Sequence, residues 1–313
     1  MLSNNSRLNG ILAIVIASLL WGTTGTAASF TPDVSPLATG AFSMGVGGLL
    51  LVVSSWKDLE SDKLLLFKSP KVLITGSLSV AVYPLAFYTS MKLSGVAIGT
   101  VVSIASAPFF AIVLERLIDK KPISMKWMVS FLFGVIGIVL LIVGKQPEST
   151  HSGQSHTETL GLLLGLVAGF TYATYAWAAR QMIERGVSSK SSMASMFGLA
   201  ALLLLPSLLI TGEQIFATST NFFVAVYMAA IPIFFGYLCF SYGLRYIDAG
   251  EATLLTLLEP AIAALFAVII VGERFLAIGW LGMGFIGICL LIQTADSRKL
   301  SARLKLLKPM LER

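Results

Sequence analysis

Charge is scarce in this 313-residue chain: 12% of its residues are Asp, Glu, Lys or Arg, about half the share found in soluble domains. That deficit excludes a water-soluble globular fold, which lacks the polar side chains to cover its surface. Histidine is almost missing as well. The two present, His151 and His156, lie in a Ser-rich stretch without a cysteine nearby, so they read as solvated loop residues rather than metal ligands. Cys239 and Cys289 both sit inside apolar runs, where a thiol is a small packing residue rather than half of a disulfide. Ten-residue segments of alternating polarity are absent, which removes a β-barrel. The 28 glycines follow no Gly-x-y period, which removes a collagen-like fibre. A net charge of +6 suggests a nucleic-acid partner only where a folded aqueous domain presents a basic face, and no segment is long and polar enough to be one.

What the chain has in abundance is apolar length: 56% of its residues are hydrophobic and the mean hydropathy is +0.85. At roughly 20 residues for each bilayer-spanning helix, the apolar runs predict an all-α membrane protein of ten spans. They lie near 9–30, 35–55, 72–91, 95–114, 125–144, 159–179, 193–211, 222–243, 250–271 and 276–293. Pro84, Pro108, Pro206, Pro232 and Pro260 fall inside spans and predict kinks there, tolerated because neighbouring groups re-satisfy the freed carbonyls. The first run has a signal-peptide look, with Arg7 ahead of it and small residues at Thr26–Ser29. Its recurrence later in the chain argues against a removable leader.

That recurrence organises the whole sequence. Gly10, Leu12, Ala17, Thr23, Ala27 and Ala28 match Gly161, Leu163, Ala168, Thr174, Ala178 and Ala179 at one constant offset. Near the ends of the halves, GVIGIVLLI (134–142) faces GFIGICLLI (284–292), and Pro108 pairs with Pro260. The expected layout is a five-helix repeat over 1–145, an outer linker over 146–158, a second repeat over 159–295 and a basic cytoplasmic tail over 296–313. Five is odd, so the second repeat enters the membrane from the opposite side, the inverted arrangement of alternating-access carriers. Charge tests the orientation independently. With both termini cytoplasmic, all but Lys92, Lys145 and Arg274 of the 22 basic residues fall on the inner side, as the positive-inside rule demands. In the tail, Leu300, Leu304 and Leu307 recur at helical spacing among Arg303, Lys305 and Lys308, the pattern of an amphipathic helix on anionic lipid.

With these residues in view, the chain resembles the EamA-type transporters of the drug/metabolite transporter superfamily. The resemblance rests on Leu20, Trp21 and Gly22 in span one, Leu258, Glu259 and Pro260 in span nine, Gly272, Glu273 and Arg274 at its exit, and the Gly-rich spans five and ten. It implies an inner-membrane carrier, often an exporter, of amino acids or similar metabolites, with a central cavity lined from both halves and spans five and ten at the periphery. The match departs in two places. Lys121 occupies the first-half position corresponding to Glu273, and span six carries Tyr172, Tyr175 and Trp177 where span one has Trp21, Thr24 and Thr26.

Glu259 lies about midway along its span, where an ionised carboxylate costs several kcal/mol unless paired or hydrated; it reads as a site for an amine or a proton. Trp21, Tyr88, Tyr172, Tyr175 and Trp177 combine rings with polar tips at membrane depth, suiting an amphipathic solute, or else serve helix packing. Thr24 stands with either substrate or its own helix carbonyls as partner. Lys92 and Arg245, at the ends of spans three and eight, are candidate gating residues on opposite faces. Gly161, Gly165 and Gly169 mark one face of span six for close helix approach. The expected partners are a small-molecule solute, protons and anionic lipids at the tail; nucleic acid, metal and cofactor have no sequence support, and a monomer and a homodimer fit equally. A secondary exporter of amino acids or related metabolites is the leading reading. A carrier of larger amphipathic drugs or lipid-linked compounds and a passive channel are the alternatives. A membrane enzyme finds no nucleophile with a base in reach.

Overall fold

In lipid every backbone polar group needs an internal partner, so long apolar runs of Leu, Ile, Val and Phe have the α-helix as their stable form. The computed structural model, which describes residues 4–94, 96–144, 155–271 and 276–294, follows that rule: among these residues there is no β-strand. The first span is α1 (Asn4–Gly22) and α2 (Thr24–Ala28), broken at Thr23. Next come α3 (Pro36–Ser54), α4 (Trp56–Lys68), α5 (Pro70–Ser94), α6 (Val96–Leu117) and α7 (Met125–Val143). The second half holds α8 (Ser155–Glu184), α9 (Ser189–Thr211), and α10 (Ser219–Met228), which continues through a π-helical segment, Ala229–Phe235, into α11 (Gly236–Leu244). It ends with α12 (Ala249–Leu255), α13 (Leu258–Phe266) with a π-helical extension over Ala267–Val271, and α14 (Ala277–Thr294).

Nine helical stretches among the described residues are long and apolar enough to cross a bilayer. The helix expected as span four is present as α6, with 22 residues, but is not one of the nine. The segment at 56–68, between the spans expected at 35–55 and 72–91, is the amphipathic helix α4. Leu59 and Leu65 pack against the core, while Trp56, Leu64 and Phe67 are 63%, 68% and 77% exposed, as suits a helix lying in the headgroup plane. Asp58 in its first turn and Lys68 in its last complement the helix dipole. The linker residues 145–154, Gly272–Arg274 and the tail lie outside the described residues; 155–158 form the first turn of α8.

The helices pair across the two halves. α1 packs on α11 and α13, α8 packs on α5 and α6, α3 packs on α9, and α7 packs on α14. Glycines set the closest approaches. Gly137 faces Gly282 and Ile286 while Gly144 faces Gly279, so α7 and α14 run antiparallel. α3 and α9 do likewise, with Gly45 against Leu205 and Gly48 against Phe197. Along α8, a Cβ on Gly161 would meet Ser94, one on Gly165 would meet Ser90, and one on Gly169 would meet Ser103 and Ser106, so the glycine stripe is a seam against α5 and α6. α7 and α14 are the least buried of the nine, with 33% and 28% of their most apolar stretch inside the protein.

The proline positions divide. Helices run continuously through Pro84, Pro108 and Pro206, whereas Pro232 sits in the π-helical segment and Pro260 follows the break between α12 and α13. These last two irregularities build the site.

Candidate functional site

One cavity of about 560 Å³, counted to its open mouth, lies between helices of both halves. α1 and α2 contribute Trp21 and Thr24, and α3 contributes Gly40, Ser43 and Met44. From α5 come Tyr83, Pro84, Phe87 and Tyr88. The second half adds Tyr172 and Tyr175 of α8, Met228 and Ile233 around the π-helical segment, Tyr237 of α11 and Glu259 of α13.

Local backbone chemistry fixes these side chains. Pro260 has no N–H to donate to the Thr256 carbonyl one turn back; that carbonyl accepts from the Glu259 N–H at 2.9 Å instead. The tight step sets Glu259 at the start of α13. The Thr256 hydroxyl donates to the Thr253 carbonyl (2.8 Å) and accepts from the Tyr172 hydroxyl (2.9 Å). Around Pro232 the π-helical turn frees a carbonyl, which accepts the Trp21 indole N–H at 2.8 Å. Gly236 allows that approach, because a Cβ there would lie 2.6 Å from the indole nitrogen. The Tyr175 and Tyr237 hydroxyls share a hydrogen bond of 2.7 Å. Rings fill the remaining contacts: Trp21 and Tyr237 at 4.9 Å, Tyr172 and Tyr175 at 5.2 Å, Tyr83 and Phe87 stacked at 5.6 Å. Against this wall the Glu259 carboxylate accepts no hydrogen bond and makes no ion pair with any described residue.

Six of the residues singled out by sequence, Trp21, Thr24, Tyr88, Tyr172, Tyr175 and Glu259, thus line one cavity. The Thr24 hydroxyl proton is already given to the Trp21 carbonyl at 2.7 Å. Trp177 is not among the lining residues. Two positions beyond Tyr175 puts it about 200° round the helix, and its indole donates to Asp119 Oδ2 at 3.0 Å. Lys92 and Arg245 are exposed and off the cavity; Arg245 lies over the Tyr246 ring at 5.5 Å. Sequence reasoning missed Tyr83, Phe87 and Tyr237. A signal existed, for Tyr83 adjoins Pro84 and Tyr237 lies five residues past Pro232, both rings close to a proline inside an apolar span.

A polar cluster ties the helix ends near the N-terminus of α1. Arg7 pairs with Glu251. Lys121 bridges Asp248 at 2.8 Å and Glu184 at 3.1 Å, and Arg180 reaches Glu184 at 2.9 Å. Burial works against the charge on Lys121, but its hydrogen bonds to Asp248 and Glu184 outweigh this and hold its pKa above the usual lysine value. Two left-handed residues make the corners that bring these groups together, Lys120 after α6 and Gly186 after α8. Glu115, 3% exposed, accepts from the Gly250 N–H at 3.1 Å.

A bundle of apolar, membrane-length helices around a ring-lined cavity with an unpaired carboxylate defines a helical membrane transport protein. The chain belongs to the EamA-like transporter family, whose model matches it twice, over residues 8–143 and 159–293. Similar proteins include the uncharacterized transporter YwfM of Bacillus subtilis, 30% identical over 92% of this chain and 94% of its own length. The uncharacterized inner membrane transporter YicL of Salmonella typhimurium is 25% identical over 94% of this chain and 98% of its own. A crystal structure with 18% identity has the same fold, at a TM-score of 0.77 over 93% of this chain and 98% of that one.

Proposed function

We propose that this chain is a ten-span secondary carrier that exports amino acids or related small metabolites across the inner membrane by alternating access. The observation that carries the reading is Glu259: a carboxylate midway along its span, without a partner, in a cavity whose walls come from both halves. The double family match and the antiparallel pairing of α7 with α14 and of α3 with α9 support two inverted repeats. Both termini are assigned to the cytoplasm, which puts Lys190 inside and Glu213 outside. In this arrangement Glu259 exchanges a proton for cargo as the cavity faces each side in turn. The titratable groups sharing its cavity are the phenols of Tyr83 and Tyr88 on α5, Tyr172 and Tyr175 on α8, and Tyr237 on α11.

Reconstituted protein tests this. Radiolabelled amino-acid and amine pools should exchange by saturable counterflow, which a passive channel does not give, and an imposed pH gradient should drive accumulation. Glu259→Gln should abolish the response to the gradient; a gradient response like that of the unmodified protein removes Glu259 from coupling. Single cysteines at positions 190 and 213, in a chain lacking Cys239 and Cys289, should react with an impermeant reagent on intact cells only at 213.

A further inference from the structure

We infer that the cargo is an organic cation carrying one amine or ammonium group on an apolar body and no carboxylate. This rests on the carrier reading and, of the cargoes named there, keeps the related amines and sets the amino acids aside. Among the described residues the cavity has one formal charge, the Glu259 carboxylate, and none of those lining it is Lys, Arg or His. The usual polar tips are already occupied: the Trp21 indole by Pro232, the Tyr172 hydroxyl by Thr256, and the Tyr175 and Tyr237 hydroxyls by each other. What these four residues offer a ligand is therefore mainly ring surface, with the one hydroxyl proton that the Tyr175–Tyr237 pair leaves unused. Tyr83 extends that surface, its ring 5.7 Å from Tyr172 and 6.0 Å from Tyr175, and Phe87 and Tyr88 adjoin it with ring centres 5.3 Å apart. Ring faces carry negative electrostatic potential, and a ring cluster beside a carboxylate attracts a desolvated cation twice over.

Charge balance separates the candidate cargoes. A monocation cancels the site's negative charge. A zwitterion brings its own carboxylate into a cavity that already has one, with only neutral hydroxyls to receive it: those of Tyr83 and Tyr88, and the proton that the Tyr175–Tyr237 pair leaves unused. A neutral solute leaves Glu259 uncompensated once the proton it exchanges for has left. In a low-dielectric cavity unpaired charge is the dominant cost, so the monocation is the species the walls select.

Matched ligands decide the question. Tyramine and tyrosine share a ring and an amine and differ by one carboxylate; benzyltrimethylammonium keeps the charge but has no N–H to donate. Binding to purified protein, read as a ligand-dependent rise in melting temperature, should order tyramine and benzyltrimethylammonium at least tenfold tighter than tyrosine. Tyr88→Phe should keep that affinity and Tyr88→Leu should lose about tenfold, while Glu259→Gln should lose discrimination between tyramine and tyrosine. If Glu259→Gln does not fold, the Tyr88 pair still tests the cage. Tyrosine binding as tightly as tyramine, or none of the three binding, overturns the inference. Counterflow in the same vesicles keeps the two readings apart: exchange of zwitterions alone retains the carrier and removes the cation site, whereas binding of the cations without any flux retains the site and removes the carrier.

Discussion

Glu115 and Glu259 are both carboxylates set within the helix bundle, and their surroundings are opposite. Glu115 is 3% exposed and accepts the Gly250 N–H, close to which no side chain intervenes because residue 250 is glycine. The fold supplies that donor, and the ion pairs of Lys121 and Arg180 with Glu184 and Asp248 join the α6–α7 turn to α8 and to the α11–α12 corner. Glu259 faces rings and open space, with no partner among the described residues. A carboxylate bonded within the fold belongs to its architecture; one left without a partner in a cavity is open to something from outside. The two regions thus differ: a polar cluster that closes on itself, and a ring-lined cavity that, on the proposed reading, receives the cargo.

The largest effect expected from breaking this contrast is at the cavity. Glu259→Gln preserves shape and removes only the charge, so gradient-driven uptake should fall at least tenfold while the melting temperature of the unliganded protein stays within about 3 °C. Size-exclusion profiles should remain monodisperse. A large drop in melting temperature with uptake lost in proportion would move Glu259 to the same structural class as Glu115.

The reciprocal change comes next. Glu115→Ala leaves the Gly250 N–H buried without an acceptor, which costs about 1–3 kcal/mol, and should lower the melting temperature while ligand affinity in the surviving folded protein changes less than threefold. Affinity loss matching that of Glu259→Gln would erase the distinction between the two glutamates. A smaller effect is expected for Trp177→Phe, which removes the hydrogen bond to Asp119 and keeps most of the ring. The loss should be about 1 kcal/mol of stability with ligand affinity unchanged within twofold, since Trp177 faces the polar cluster and not the cavity.

The difference between Trp177 and its neighbours explains what was legible beforehand. The doubling of the chain and nine of the ten expected spans follow from residue order and hydropathy, because a bilayer imposes length and polarity on every segment. The midspan placement of Glu259 follows from the same constraint. Facing does not: Tyr172, Tyr175 and Trp177 have the same chemistry in sequence, and only the helical angle relative to a neighbour sends two into the cavity and one to Asp119. Tyr83 and Tyr237 escaped notice because apolar flanks conceal a buried phenol among packing residues. α4 was hidden by its charged residues, spread along a segment in which Leu59 and Leu65 meet the core. The polar cluster depends on two left-handed corners, at Lys120 and Gly186, and, apart from the i,i+4 pair Arg180–Glu184, its ion pairs join residues more than 60 positions apart, which no local pattern encodes.

The smallest effects concern the two basic residues outside both regions. Lys92 closes α5 and Arg245 follows α11, both exposed, and with both termini cytoplasmic Lys92 is outside and Arg245 inside. At exposed positions a single charge is screened and contributes little to stability, so Lys92→Gln and Arg245→Gln should leave melting temperatures unchanged. Their influence on a cationic cargo is electrostatic repulsion at one mouth. Removing Lys92 should raise the apparent affinity from the outer side two- to threefold and leave the inner side unaltered, and removing Arg245 should do the reverse, each effect fading as salt is raised. Vesicles with protein inserted in one orientation, assayed from each side at low and high ionic strength, measure this directly. Equal changes from both sides, or changes indifferent to salt, would assign the two residues to interfacial anchoring of their helices and leave the cavity as the sole point at which this protein reads charge.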